Sequence, residues 1–265
     1  MELGLTDVQQ REMIRVLLHC SANVCPPLAE TSPSAGSAPA DHAPLFFPSC
    51  SLQEKLYNPY YTLVLARLLQ LHAHRFTFQY SLWDFFRELG EGDVGGTEVV
   101  RAFKESGGKA GKGRHVAKRH VRNWAKAYGW CIAKEGTTLA ILKPINFTRL
   151  RPASAGFLQQ LLIALILASQ TASPLLILPS TRLADLDPTP LKEVVMKVAN
   201  LPGLCEGLLY FLQTSLTDDG AWLDSLGEGE KQVAVWGREV LRDELLLGLE
   251  GRMDSAINDD GDDDI

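Results

Sequence analysis

Nine cations crowd one short stretch of this 265-residue chain: Arg101, Lys104, Lys109, Lys112, Arg114, Lys118, Arg119, Arg122 and Lys126. Glu105 is the only acid among them. The chemistry on offer is electrostatic. Such a run attracts polyanions, and neutralising phosphates releases their counterions. Lys118, Arg122 and Lys126 recur every four residues, so a helix would display them on one face. Lys109, Lys112, Arg114, Lys118, Arg119, Arg122 and Lys126 are therefore the candidate RNA-phosphate contacts. The commoner fate of a charge run is a solvated helix face. Trp124 and Tyr128 interleave with the cations, but helical spacing places them on the apolar stripe rather than as base-stacking platforms.

No catalytic constellation accompanies this charge. Ser106-Gly107-Gly108-Lys109-Ala110-Gly111-Lys112-Gly113 is glycine-rich and basic like a phosphate-cradling loop. A P-loop needs Gly, four residues, then Gly-Lys-Ser/Thr. Here Ser106 stands where the first Gly belongs, and Gly113 replaces the magnesium-binding hydroxyl. A basic loop is the better reading. His72 and His74 lie two apart, and His115 and His120 five apart, so neither pair has the spacing of four that puts two ligands on one helical face. These read as surface histidines, and no metal or cofactor is expected. Cys131 and Cys205 lie in apolar helical patterns and read as small buried hydrophobes. There is no Gly-x-Ser-x-Gly elbow, so the chain reads as a non-enzyme.

The bulk composition frames this reading. Hydrophobic residues make up 46% and charged residues 22%, as in soluble globular chains. Net charge is -6, weighted toward the acidic end around Asp262. Five scattered cysteines suggest no disulfide framework, hence a reducing compartment. The first ten residues lack the basic and apolar regions of a secretory signal. The longest clean apolar piece, residues 161–168, is far short of the roughly 20 residues of a membrane span. It reads as a buried core helix, and no membrane partner is expected.

The elements that must position the cations are helical throughout. Apolar spacing predicts a first helix over 6–20, capped by Thr6. Residues 21–49 are rich in Pro, Ala and Ser and read as a disordered insert. Asn58-Pro59 then opens a helix running to about His72, and a second follows over 77–89, stopped by Gly90. A turn over 91–95 precedes a short helix over 97–104. The cation-bearing helix is expected over 115–133, followed by a short helix over 138–142 and the core helix over 154–170. Thr189 as a cap followed by Pro190 starts one more, Pro202 opens another, and a last helix spans 228–249. No sustained period of two suggests strands. Consecutive amphipathic helices with short connections predict an all-α fold of stacked antiparallel helical hairpins. Residues 50–252 form the helical-repeat domain with 1–20 as its first helix, and 253–265 form a disordered acidic tail.

Several stretches resemble one family. Arg11-Glu12-Met13-Ile14-Arg15-Val16-Leu17-Leu18-His19-Cys20 is similar to its opening helix. Ser51-Leu52-Gln53-Glu54-Lys55-Leu56-Tyr57-Asn58-Pro59-Tyr60-Tyr61 is similar to its most specific signature. Phe76-Thr77-Phe78-Gln79-Tyr80-Ser81-Leu82-Trp83-Asp84, Ala125-Lys126-Ala127-Tyr128-Gly129-Trp130 and Leu139-Ala140-Ile141-Leu142-Lys143-Pro144 match further blocks. Together they resemble the C-terminal MI domain of the nucleolar suppressor-of-glycerol-defect family, whose members also carry a middle domain of the initiation factor 4G type. The likeness covers residues 8–170 well and the remainder loosely; the 21–49 insert departs from it.

The resemblance implies a HEAT-like MI domain and a nucleolar ribosome-biogenesis factor for the small ribosomal subunit, acting in 18S pre-rRNA processing. The implied partners are small-subunit precursor proteins and pre-rRNA. The family's middle domain engages a DEAD-box RNA helicase. These 265 residues contain no counterpart of that domain, so protein and RNA docking is expected rather than helicase control. The alternative is a translation regulator that binds an initiation-factor-4A-type DEAD-box helicase directly, as some other MI domains do.

Overall fold

A computed structural model describes residues 7–22, 57–96, 101, 116–217, 220 and 222–259. Among them are eight α-helices and no strand. They are α1 (Asp7–Ala22), α2 (Pro59–Leu68), α3 (His72–Leu89), α4 (Lys118–Ala133), α5 (Pro152–Ser169), α6 (Thr189–Met196), α7 (Pro202–Ser215) and α8 (Glu228–Asp259). The expected all-α, HEAT-like architecture is what forms. The Thr6 cap, most of the insert, the helix over 97–104 apart from a helical Arg101, and the basic loop over 106–113 lie outside the described residues.

Local chemistry explains some of the boundaries. At the start of α2 the Asn58 side chain accepts the Tyr60 N–H at 2.9 Å, and Pro59 takes the first helical position. Gly90 ends α3 with φ 110, a left-handed conformation that a Cβ would disfavour. There the Glu91 N–H bonds back to the Phe86 carbonyl at 2.9 Å.

Other boundaries differ from the sequence reading. The expected single run to His72 breaks after Leu68, and α3 starts at His72 rather than near Thr77. Arg75 Nε donates to the freed Leu69 carbonyl at 2.7 Å, which stabilises the break. Thr189 is the first residue of α6 rather than its cap; Asp187 accepts the Thr189 N–H at 2.9 Å instead. The short helix expected over 138–142 is a 3-10 helix, Leu139–Leu142, with Thr138 as its cap. Ser21 and Ala22 belong to α1, and α8 continues to Asp259, into the stretch read as an acidic tail.

The core draws buried residues from all eight helices, and its aromatic part is a seam between α3, α4 and α5. Phe78 stacks on Tyr128 at 4.1 Å and Phe85 on Trp124 at 4.5 Å, so α3 and α4 run antiparallel. Phe157 of α5 meets Phe85 and Phe86 edge-on at 5.0 and 5.4 Å. Trp83 is only partly buried, and its Nε1 donates to the Ile141 carbonyl at 2.8 Å, tying α3 to the segment after α4. His74 is buried, against the expectation of a surface histidine. α5 is long and apolar enough to cross a membrane by length and composition. Its residues Leu161 to Ala168 are instead buried inside the fold.

Candidate functional site

The cation-bearing helix begins at Lys118, three residues later than expected. Ala117 precedes it without a side-chain cap, and the first turn holds no acid. Lys118 and Arg119 stand there instead, with Arg122 a turn further on. The exposed N–H groups at a helix start carry partial positive charge, so each cation there costs about 0.3–1 kcal/mol. The fold thus keeps a concentrated positive field against local preference. Lys118, Arg119 and Arg122 are exposed and form no ion pair among the described residues.

Lys126 is placed differently. It is partly buried, and its ammonium lies 5.5 Å from the centre of the Tyr57 ring. Burial holds its pKa below the ordinary lysine range, and the neighbouring Arg122 pushes the same way, while Glu230 opposes them. Of the seven candidate phosphate contacts, Lys118, Arg119 and Arg122 are therefore displayed outward and Lys126 is drawn inward. Lys109, Lys112 and Arg114 lie outside the described residues.

α4 and α5 run parallel. Lys118 and Arg122 share a groove with Pro152, Ala153 and Gly156. Further along, Arg122 and Lys126 face Gln160, Ile163 and Ala164, and Gly129 packs on Ala164 and Leu165. The close approach at Gly129 pins the C-terminal halves together: a Cβ there would lie 2.7 Å from the Leu165 nitrogen. The N-terminal halves part around an open groove of about 420 Å³. Leu89, Val116, Val121, Pro152 and Ala153 line it, with Lys118, Arg122 and Gln160 alongside. A Cβ on Gly156 would meet nothing within 4 Å.

Trp124 and Tyr128 belong to the core, as their spacing implies. Tyr128 is fully buried and donates its hydroxyl to the Phe78 carbonyl at 2.9 Å. Burial pushes its phenol well above the ordinary tyrosine range. Trp124 is stacked against both Phe85 and His120. A second recess of about 530 Å³ lies between α1, α3 and α4, where Arg15, His19, Asp84, Glu88 and His120 mix both signs of charge. Burial, and then His19, hold the His120 pKa below the ordinary histidine range.

Nothing in these surroundings assembles a reaction centre. Among the described residues no group of three or more His, Cys, Asp and Glu could hold a metal. Cys131 is buried, and burial pushes its thiol far up, away from the thiolate that a nucleophile needs. Sequence reasoning found the cations but not the groove floor. Gly156, inside an Ala- and Leu-rich helix, is a signal in the sequence that could have led there.

An all-helical HEAT-like stack whose displayed features are a cationic helix start and an open groove defines the class: a helical-repeat domain. The chain is 33% identical over 110 residues to suppressor of glycerol defect protein 1 of Schizosaccharomyces pombe, covering 41% of this chain and 12% of that protein. It is 25% identical over 187 residues to the human nucleolar MIF4G domain-containing protein 1, covering 70% of this chain and 15% of that protein. The homologue of the latter in Drosophila melanogaster is 24% identical over 121 residues, 45% of this chain and 11% of its own length. These relatives, at modest identity, support assignment of the chain to the suppressor-of-glycerol-defect family. The names of the animal relatives support a nucleolar location. The chain thus spans about an eighth of the length of the relatives it matches. No family model matches, and no solved structure matches.

Proposed function

We propose that the chain is a non-catalytic docking domain of a nucleolar factor that assembles the small ribosomal subunit and supports 18S pre-rRNA processing. The observation that carries this reading is the outward row of Lys118, Arg119 and Arg122, without an ion pair among the described residues, on a chain similar to nucleolar proteins. Small-subunit precursor proteins and pre-rRNA are the partners, with a DEAD-box RNA helicase as a further one. A positive field of this kind speeds and strengthens encounter with any anionic component of an RNA-rich particle.

The test is depletion in cells followed by measurement of 18S precursors, with rescue by the wild-type chain and by a Lys118→Glu, Arg119→Glu, Arg122→Glu variant. Accumulation of precursors, relieved by wild type and poorly by the variant, is the expected result. Normal 18S maturation after depletion would sink the reading. Direct capture of an initiation-factor-4A-type helicase by the purified chain without RNA, together with normal 18S maturation, would replace it with translation control.

A further inference from the structure

We propose that the groove between the N-terminal halves of α4 and α5 docks an acidic amphipathic segment of a partner protein. Its apolar side chains rest on Val121, Pro152 and Ala153, and its carboxylates pair with Lys118 and Arg122. The proposal rests on reading the chain as a docking domain and supplies the chemistry of what docks.

Two properties of the groove select this occupant. The first is charge complementarity. Lys118 and Arg122 are exposed, lie one helical turn apart beside the groove, and have no acidic partner among the described residues. Glu91, at the same end of the fold, is engaged: its carboxylate accepts the Arg151 backbone N–H at 2.8 Å. The second is the floor. It is aliphatic, built from Leu89, Val116, Val121, Pro152 and Ala153, and beside Gly156 there is room for a side chain. A phosphate backbone would use the cations and leave this apolar surface wet. Bases need aromatic platforms to stack on. Of the aromatic residues of α4 that follow the cations, Trp124 and Tyr128 are already stacked with Phe85 and Phe78, and Trp130 is buried. A segment with leucine or phenylalanine at helical spacing and glutamates between them satisfies both the floor and the cations, as an amphipathic helix does when it enters a groove.

Fluorescence anisotropy with the full chain tests this against three labelled probes. One is a helical peptide with Leu and Phe at positions i and i+4 among glutamates. The second is the same peptide with those two residues changed to Ala. The third is a single-stranded RNA oligonucleotide of equal charge. The first peptide should bind at least about tenfold tighter than the second, the scale of a buried apolar anchor. The double variant Lys118→Glu, Arg122→Glu should weaken it by a similar factor. So should Gly156→Leu, which fills the groove where a Cβ meets nothing and should leave the thermal midpoint unlowered. The proposal is overturned if the two peptides bind alike, or if neither binds. It is equally overturned if Gly156→Leu has no effect, or if RNA alone binds and only the charge variants weaken it, the signature of a phosphate surface. None of these results bears on whether 18S precursors accumulate after depletion, so the two readings fail separately.

Discussion

In its second half α4 is buried from Ala127 through Ala133 and touches α5 closely enough that Gly129 has no room for a Cβ. In its first two turns, on the same side of the same neighbour, Lys118 and Arg122 face solvent across a groove. One helix therefore serves as a core strut at one end and as a display at the other. The lesson is that function here is bounded by packing. Where the two backbones meet, side-chain choice is dictated by volume; where they part, charge is tolerated even against the helix dipole.

The sharpest way to break this contrast is Gly129→Leu. Its Cβ would lie 2.7 Å from the Leu165 nitrogen and 2.8 Å from the Ala164 Cβ. Stability in urea should fall by about 3 kcal/mol or more, the upper end of overpacking costs. A small change would mean that the helices can slide apart. Trp83→Ala comes next. It removes a half-buried ring and the bond to the Ile141 carbonyl, for a loss of about 2–3 kcal/mol in the same assay, at or just below the low end for large aromatic truncations. Gly156→Ala should move the other way, stabilising by about 0.5–1 kcal/mol, because it adds helix propensity in open space. The smallest effect is Lys118→Glu. An acid in the first turn of α4 should gain about 0.5 kcal/mol from the dipole while weakening anionic ligands. A loss of stability there would show that Lys118 is structural.

Residues differ in how plainly they announced these roles. The continuous apolar run of α5 fixed a buried helix, since no other surroundings suit residues 161–168. Asn58-Pro59 and Gly90 marked helix ends because their effect is local. The break at residues 69–71 was invisible. Leu68, Leu69 and Leu71 keep the apolar pattern going without a Gly or Pro, and the interruption is held partly by Arg75, six residues away. The late start of α4 was missed for a related reason: no capping residue marks it. The cations were legible as charge. The inward placement of Lys126 was not, because the Tyr57 ring and Glu230 reach it from distant parts of the chain. The groove requires two helices to run side by side, a relation that periodicity within either helix does not contain.

That parallel arrangement also shapes how the chain reaches its native state. Two helices that point the same way cannot close as a simple hairpin. Residues 134–151 must first carry the chain back along the whole length of α4 before α5 begins. The most extensive helix pairing is therefore non-local, and closing it demands chain entropy up front. Fragments ending at Ala133 would leave the buried half of α4 without its partner. Folding of this region is expected to be all-or-none, with the return segment tied to α3 by the bond from Trp83 to the Ile141 carbonyl.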